Sequence, residues 1–128
     1  MAIADFSLIS FNEHLGDDEG DLDVNETFVG NESTVRNFTV SGTPTGTGYL
    51  VVTVYDVGSS NHRVIINGQD LGSFDIPRAP TDNRWQTYMD RIESGVLRSG
   101  TNTIQLRRAS GEDNFVVRDV VVQWRRAA

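Results

Sequence analysis

Apolar residues gather along this chain in short alternating or β-branched stretches, and nowhere with the three-to-four-residue spacing of a helix. The clearest stretch is Tyr49 to Val57. Leu50, Val52 and Val54 fall on one face of an extended strand, and Tyr49, Val51, Thr53, Tyr55 and Val57 on the other. With both faces largely apolar, the pattern predicts a central strand covered on both sides. Downstream, Val64, Ile65 and Ile66 end abruptly at Asn67-Gly68. Asn-Gly enters a type I′ turn readily, because both central residues then need positive φ. A second strand follows from Gly72 to Ile76 and stops at Pro77, which completes a β-hairpin.

The remaining strands are shorter or less regular. Phe6 to Phe11 sets Phe6 and Leu8 against Ser7 and Ser10, with Ile9 and Phe11 breaking strict alternation. Thr27–Val29 and Val35–Val40 are further strand candidates. Arg84–Ile92 places Trp85, Thr87 and Met89 on one face and Gln86, Tyr88 and Asp90 on the other. Thr103–Arg107 turns Ile104 and Leu106 inward, and Phe115–Trp124 is a long last strand. Eight or nine short strands separated by Gly-, Pro- and Asn-rich turns predict an all-β fold, a two-sheet antiparallel β-sandwich of jelly-roll type. At 128 residues, 1–128 is expected to form a single β-sandwich domain.

Composition narrows the function more than the fold. With no cysteine, the chain carries no disulfide framework and gives no sign of redox compartment. All 11 basic residues are arginine, and 12 of the 18 acids are aspartate, for a net charge of −7. A lysine-free, Asp-rich surface suits high salt, although a GC-rich coding sequence would also favour arginine. A polyanion is disfavoured as partner, so nucleic-acid binding is not expected. No apolar run approaches the ~20 residues of a membrane span. The start, Met-Ala-Ile-Ala-Asp-Phe-Ser, lacks the basic and apolar segments of a signal peptide, although an extracellular or particle-surface location is favoured. The charge is lopsided: residues 1–59 hold one arginine against ten acids (−9), and residues 60–128 hold ten arginines against eight acids (+2).

From Asn61 onward the chain resembles the jelly-roll sandwiches of the galactose-binding-domain-like superfamily. The likeness rests on Val64-Ile65-Ile66-Asn67-Gly68-Gln69-Asp70-Leu71-Gly72 and on Leu97-Arg98-Ser99-Gly100-Thr101-Asn102-Thr103-Ile104. Within that group it is most similar to carbohydrate-binding modules carrying a Trp-Gln-Thr-aromatic strand, here Trp85-Gln86-Thr87-Tyr88. Their last strand is matched by Asn114 to Val121, with two extra residues before Asp119. The resemblance implies a cleft at the loop end, lined by Trp85 and reached from the opposite side by Asn114. It also implies a structural calcium near the terminal strands, with Asp119 as a ligand from across the fold.

A sugar site needs an aromatic face for the ring's C–H groups and planar amides or guanidinium forks for its hydroxyls. Asn83, Arg84, Trp85 and Tyr88 offer both within six residues, and Asn114 is the expected fifth member. The alternative is that Trp85 belongs to the core and Asn114 only forms a turn. The acidic loop from Asn12 to Asp23 is either a solvated loop or an oxygen cage for calcium. If it is a cage, Asp17, Asp21 and Asp23 are its candidate ligands, because flanking glycines let that backbone wrap an ion. His14 and His62 have no metal or catalytic partner at a telling spacing and read as loop histidines. No catalytic signature is present, so the expected function is a non-catalytic module binding carbohydrate. The competing expectation is a structural or decorating protein that self-assembles or docks on a larger particle. In that case the arginines at 107, 108, 118, 125 and 126 would meet the acidic loop of another copy.

Overall fold

A computed structural model of the chain describes residues 2–81, 83–109 and 113–127, without the side chains of residues 72–75. Nine strands form in order: β1 (Ala2–Leu15), β2 (Thr27–Gly30), β3 (Arg36–Val40), β4 (Gly48–Tyr55), β5 (His62–Ile66), β6 (Gln69–Ile76), β7 (Trp85–Ile92), β8 (Gly100–Arg107) and β9 (Phe115–Ala127). They build a five-stranded sheet in the order β2-β1-β9-β4-β7 and a four-stranded sheet in the order β3-β8-β5-β6. This is the two-sheet sandwich that the alternation predicts. All neighbours are antiparallel except β2, which runs parallel to β1. Among the described residues the helical content is one 3-10 turn, Glu19–Asp21, capped by the Asp18 carboxylate, which accepts from Gly20 N–H. Among the described residues no helix is long and apolar enough to cross a membrane.

The β5–β6 hairpin is built as expected. Ile66 faces Gln69 across a two-residue turn, and Asn67 and Gly68 have φ of 54° and 77°. The Asn67 side chain also ties the turn to the rest of the sheet. Its Oδ1 accepts from Thr103 N–H at 2.9 Å, and its Nδ2 donates to the Asn102 Oδ1 at 2.7 Å. The Asn that permits positive φ thus also locks β5 to β8, which a glycine there could not do.

Two expectations about faces need correction. Within the predicted stretch Phe6 to Phe11 of β1, the buried residues are Ile9 and Phe11, whereas Phe6 and Leu8 point outward and are about two-thirds exposed. Pairing decides this: Ile9 lies opposite the buried Val120, and a strand's neighbours share its inward face. In β4, Leu50, Val52 and Val54 enter the core, but the other face, Tyr49 to Tyr55, is only half covered. Among the described residues no further layer packs on that side, so β4 is central to its sheet and open on its outer face.

That outer face forms a grid set by cross-strand register. Tyr55 lies beside Trp85 at one end, Val51 lies between Val121 and Met89 in the middle, and Tyr49 lies beside Gln123 and Arg91 toward the other end. Leu8 and Phe6 of β1 extend the same rows. Of the seven large hydrophobic side chains that are exposed among the described residues, five (Phe6, Leu8, Tyr49, Trp85 and Met89) lie on this one face.

Candidate functional site

The sugar-site candidates separate on folding. Trp85 opens β7 on the outer face and stays 40% exposed, so it is a surface residue. Tyr88, three residues on, points the opposite way and packs against the core, where burial raises its phenol's pKa. The two aromatics therefore cannot line one face, because side chains alternate along a strand. Asn114 is 4% exposed and also lies outside any open cleft. Its Oδ1 takes hydrogen bonds from His14 Nε2 at 3.0 Å and from Asp18 N–H at 3.3 Å, while its Nδ2 donates to Asp17 at 2.9 Å. It binds the acidic loop to the sandwich.

What does assemble around Trp85 is a small shelf at one corner of the outer face. Tyr55, opposite Trp85 across the β4–β7 ladder, brings its ring to 4.9 Å between centroids at a tilt of 46°. The Arg118 guanidinium lies 4.1 Å from the indole centroid and is held there by Glu26 at 3.1 Å. Asn83 Oδ1 accepts from the Tyr55 hydroxyl at 3.4 Å. The ends of β4 and β7 are locked by two left-handed residues, Asp56 (φ 61°) and Asn83 (φ 56°). Asn83 N–H donates to the Asp56 carboxylate at 2.8 Å, and Asp56 N–H donates to the Arg84 carbonyl at 3.0 Å. Arg84 itself is exposed beside Trp85. Arg118 lies over one face of the indole, and the 40% exposed indole, the Asn83 amide and the Tyr55 hydroxyl are the groups left to meet an apolar ring and its rim. Tyr55 and Arg118 escaped the sequence analysis because only register joins them to Trp85.

The two histidines are the opposite of loop residues: both are buried, at 1% and 0% exposure. His62 also has the carboxylate partner that its sequence surroundings lack. Asp113 Oδ2 lies 2.5 Å from its Nε2, while Nδ1 accepts from Ala109 N–H at 3.1 Å. The second bond makes Nδ1 the unprotonated nitrogen, so Nε2–H donates to Asp113. The ring stacks on Phe115 at 4.1 Å. With both nitrogens committed and no exposed surface, His62 offers no base to a substrate. Consecutive residues thus anchor both sheets, Asp113 holding His62 of β5 and Asn114 holding His14 of β1.

The metal candidates do not converge. Asp17 binds Asn114, Asp21 and Asp23 are exposed, and Asp119 lies on β9 opposite Ser10. Among the described residues no three His, Asp or Glu side chains gather as an ion cage. This donor set does not fit calcium, which takes six to eight converging oxygens.

Comparison with known proteins agrees with the architecture. The CBM36-1 domain of a multidomain xylanase from the hindgut metagenome of Trinervitermes trinervoides is 13% identical, with a TM-score of 0.57 over 92% of this chain and 96% of that one. A carbohydrate-binding module CBM36 solved with calcium and xylotriose is 13% identical, with a TM-score of 0.57 over 89% and 97%. Latent PorU from Porphyromonas gingivalis is 10% identical, with a TM-score of 0.61 over 98% of this chain, which spans 13% of that protein. Likeness at such identity establishes the fold, and it extends well beyond the second half of the chain. No curated protein matches the sequence. A family model does match, over residues 3–126, and the chain belongs to that family, DUF7383, a family of unknown function.

Proposed function

We propose that this chain is a non-catalytic carbohydrate-binding module with Trp85 as its stacking platform. The observation that carries this reading is the exposed indole, braced by Tyr55 and Arg118 and rimmed by the Asn83 amide. Bracing matters because a platform already in place loses little side-chain freedom on binding. The CBM36 likeness, including the module solved with xylotriose, supports the ligand class. Both histidines are committed to internal hydrogen bonds, which fits a module that binds without reacting.

Titration with xylotriose and a glycan panel, read by tryptophan fluorescence, tests the proposal. Trp124 is 3% exposed and Trp85 is 40% exposed, so a ligand on the platform changes the Trp85 signal alone. Trp85→Ala abolishes binding and lowers stability by about 1–2 kcal/mol, less than the ~3–5 kcal/mol of a buried tryptophan. Binding that survives the substitution, or a panel without a ligand, defeats the reading.

The open apolar face favours a second reading, in which it packs against another copy. Four strands at ~4.8 Å spacing and six residues at ~3.3 Å give roughly 400 Å², about half of the ~800 Å² per partner in a standard interface. Such a contact is transient, and light scattering that stays monomeric up to millimolar protein would remove it.

A further inference from the structure

Four of the five arginines clustered late in the chain are engaged internally. Arg107 meets Glu32 at 3.1 Å, Arg108 meets Asn31 at 2.6 Å, Arg118 meets Glu26 at 3.1 Å, and Arg126 meets Asp5 at 3.5 Å. Arg125 differs: it is exposed, and among the described residues nothing accepts from its guanidinium. It stands on the outer face of β9 opposite Ala4, at the end of the sheet away from Trp85. The small Ala4 leaves a hollow of about 100 Å³ there, lined also by Thr47, Tyr49, Gln123 and Trp124. The Tyr49 hydroxyl, the Gln123 amide and the Thr47 hydroxyl likewise have no partner among the described residues. One positive charge and three neutral polar groups line this hollow, with no carboxylate among them.

A second hollow of about 160 Å³ shares the Thr47 and Trp124 walls and has the opposite character. Glu93, Ser94 and Thr45 line it, along with the backbone of Gly46, Gly48 and Gly95. Gly46 and Gly95 hold φ of 69° and 91°, and a Cβ at either would meet nothing within 4 Å. At Gly48 a Cβ would come 2.7 Å from the Gln123 carbonyl, so glycine there lets the loop lie directly on β9.

We propose that the paired hollows form a second binding site, for a uronic acid residue. Its carboxylate sits on Arg125, Gln123 and Tyr49, and its ring hydroxyls turn toward Glu93, Ser94 and Thr45. A guanidinium fork matches a carboxylate, while Glu93, 3.4 Å from Arg91, has its charge already matched and keeps lone pairs to accept from hydroxyls, which fixes the ligand's direction. The net charge of −7 repels anions generally, so retention of one here demands a local site. This rests on the reading of the chain as glycan-binding and adds the charge of the glycan.

The test is calorimetry on the whole chain with D-glucuronate, D-glucose and acetate, together with amide chemical-shift mapping. Glucuronate binds tightest of the three and shifts amides in residues 45–48 and 93–97. Arg125→Gln weakens it by about tenfold to a hundredfold, the range for a hydrogen bond to a charged group. Trp85→Ala leaves it unchanged. Glucose or acetate binding as well as glucuronate overturns the proposal, as does an indifferent Arg125→Gln. Xylotriose binding lost in Trp85→Ala without any glucuronate binding removes this site and keeps the platform. The reverse outcome removes the platform and keeps this site.

Discussion

At the scale of single residues, the tightest constraint is on Gly16. A Cβ there would lie 1.6 Å from Asn114 Oδ1, the atom that accepts from both His14 and Asp18. Gly16→Ala must swing Asn114 away, which strands a buried imidazole and releases the loop at Asp17. We expect a loss of about 2–4 kcal/mol in urea unfolding, well beyond the ~0.5 kcal/mol typical of a surface change. A loss below 1 kcal/mol would mean that Asn114 moves freely and the staple is unimportant. Asp5 makes a smaller, pH-linked contribution. A hydrogen bond from Ser41 above all, then one from Phe6 N–H, lowers its carboxyl's pKa below the ordinary Asp value. The folded state therefore favours the ionised form. The resulting stability is fully present above the unfolded pKa and is lost as pH falls through the folded one. An NMR titration should place the Asp5 midpoint below that of Asp5 in Ser41→Ala. Neither effect was legible beforehand, since Gly16 and Asn114 are 98 positions apart and meet only through the β1–β9 ladder.

At the scale of elements, alternation, β-branched runs and turn residues pointed to eight or nine strands, and nine form, but the pattern did not always identify their buried face. In β4 both faces looked largely apolar, and only the absence of a covering layer among the described residues leaves Leu50, Val52 and Val54 as the inward set. In β1 both faces carry large apolar residues, and only the pairing of Ile9 with Val120 selects between them. Composition cannot supply that choice, because a one-residue slip exchanges the two faces of a strand. The same limit explains the candidate sugar site. The run from Asn83 to Tyr88 was found, but the Trp85 shelf is completed by β4 and β9 rather than by Tyr88. Paired substitutions in β1 test the assignment. Ile9→Ala should cost about 2–4 kcal/mol and Phe6→Ser no more than about 0.5 kcal/mol, because only the first opens a cavity. Equal losses would show that the outer face is covered in solution.

At the scale of the whole molecule, folding brings together the two differently charged halves of the chain. The β1–β9 ladder and the loops beside it place early acids against late arginines in the pairs Asp5–Arg126 and Glu26–Arg118, and a bridge at the end of β8 adds Glu32–Arg107. Arginines that looked available to another copy are largely spent within this one. The surplus acids stay unpaired, most densely at Asp17, Asp18, Glu19, Asp21 and Asp23, all of them exposed. Their repulsion opposes the compact state, and salt relieves it, since the Debye length falls from ~10 Å at 0.1 M to ~3 Å at 1 M. The exposed ion pairs weaken at the same time, but each contributes only about 0–1 kcal/mol, so the net repulsion of −7 charges decides the sign. The melting temperature should therefore rise from 0.1 M to 1 M salt, equally with sodium and potassium. Calcium at matched ionic strength should add nothing, because the loop carboxylates do not converge. A further calcium-specific rise, lost in Asp21→Ala, would show that the loop refolds around an ion. Bound calcium at ~100 times its Kd would be worth about 2.7 kcal/mol, an effect that a melting curve resolves easily from screening.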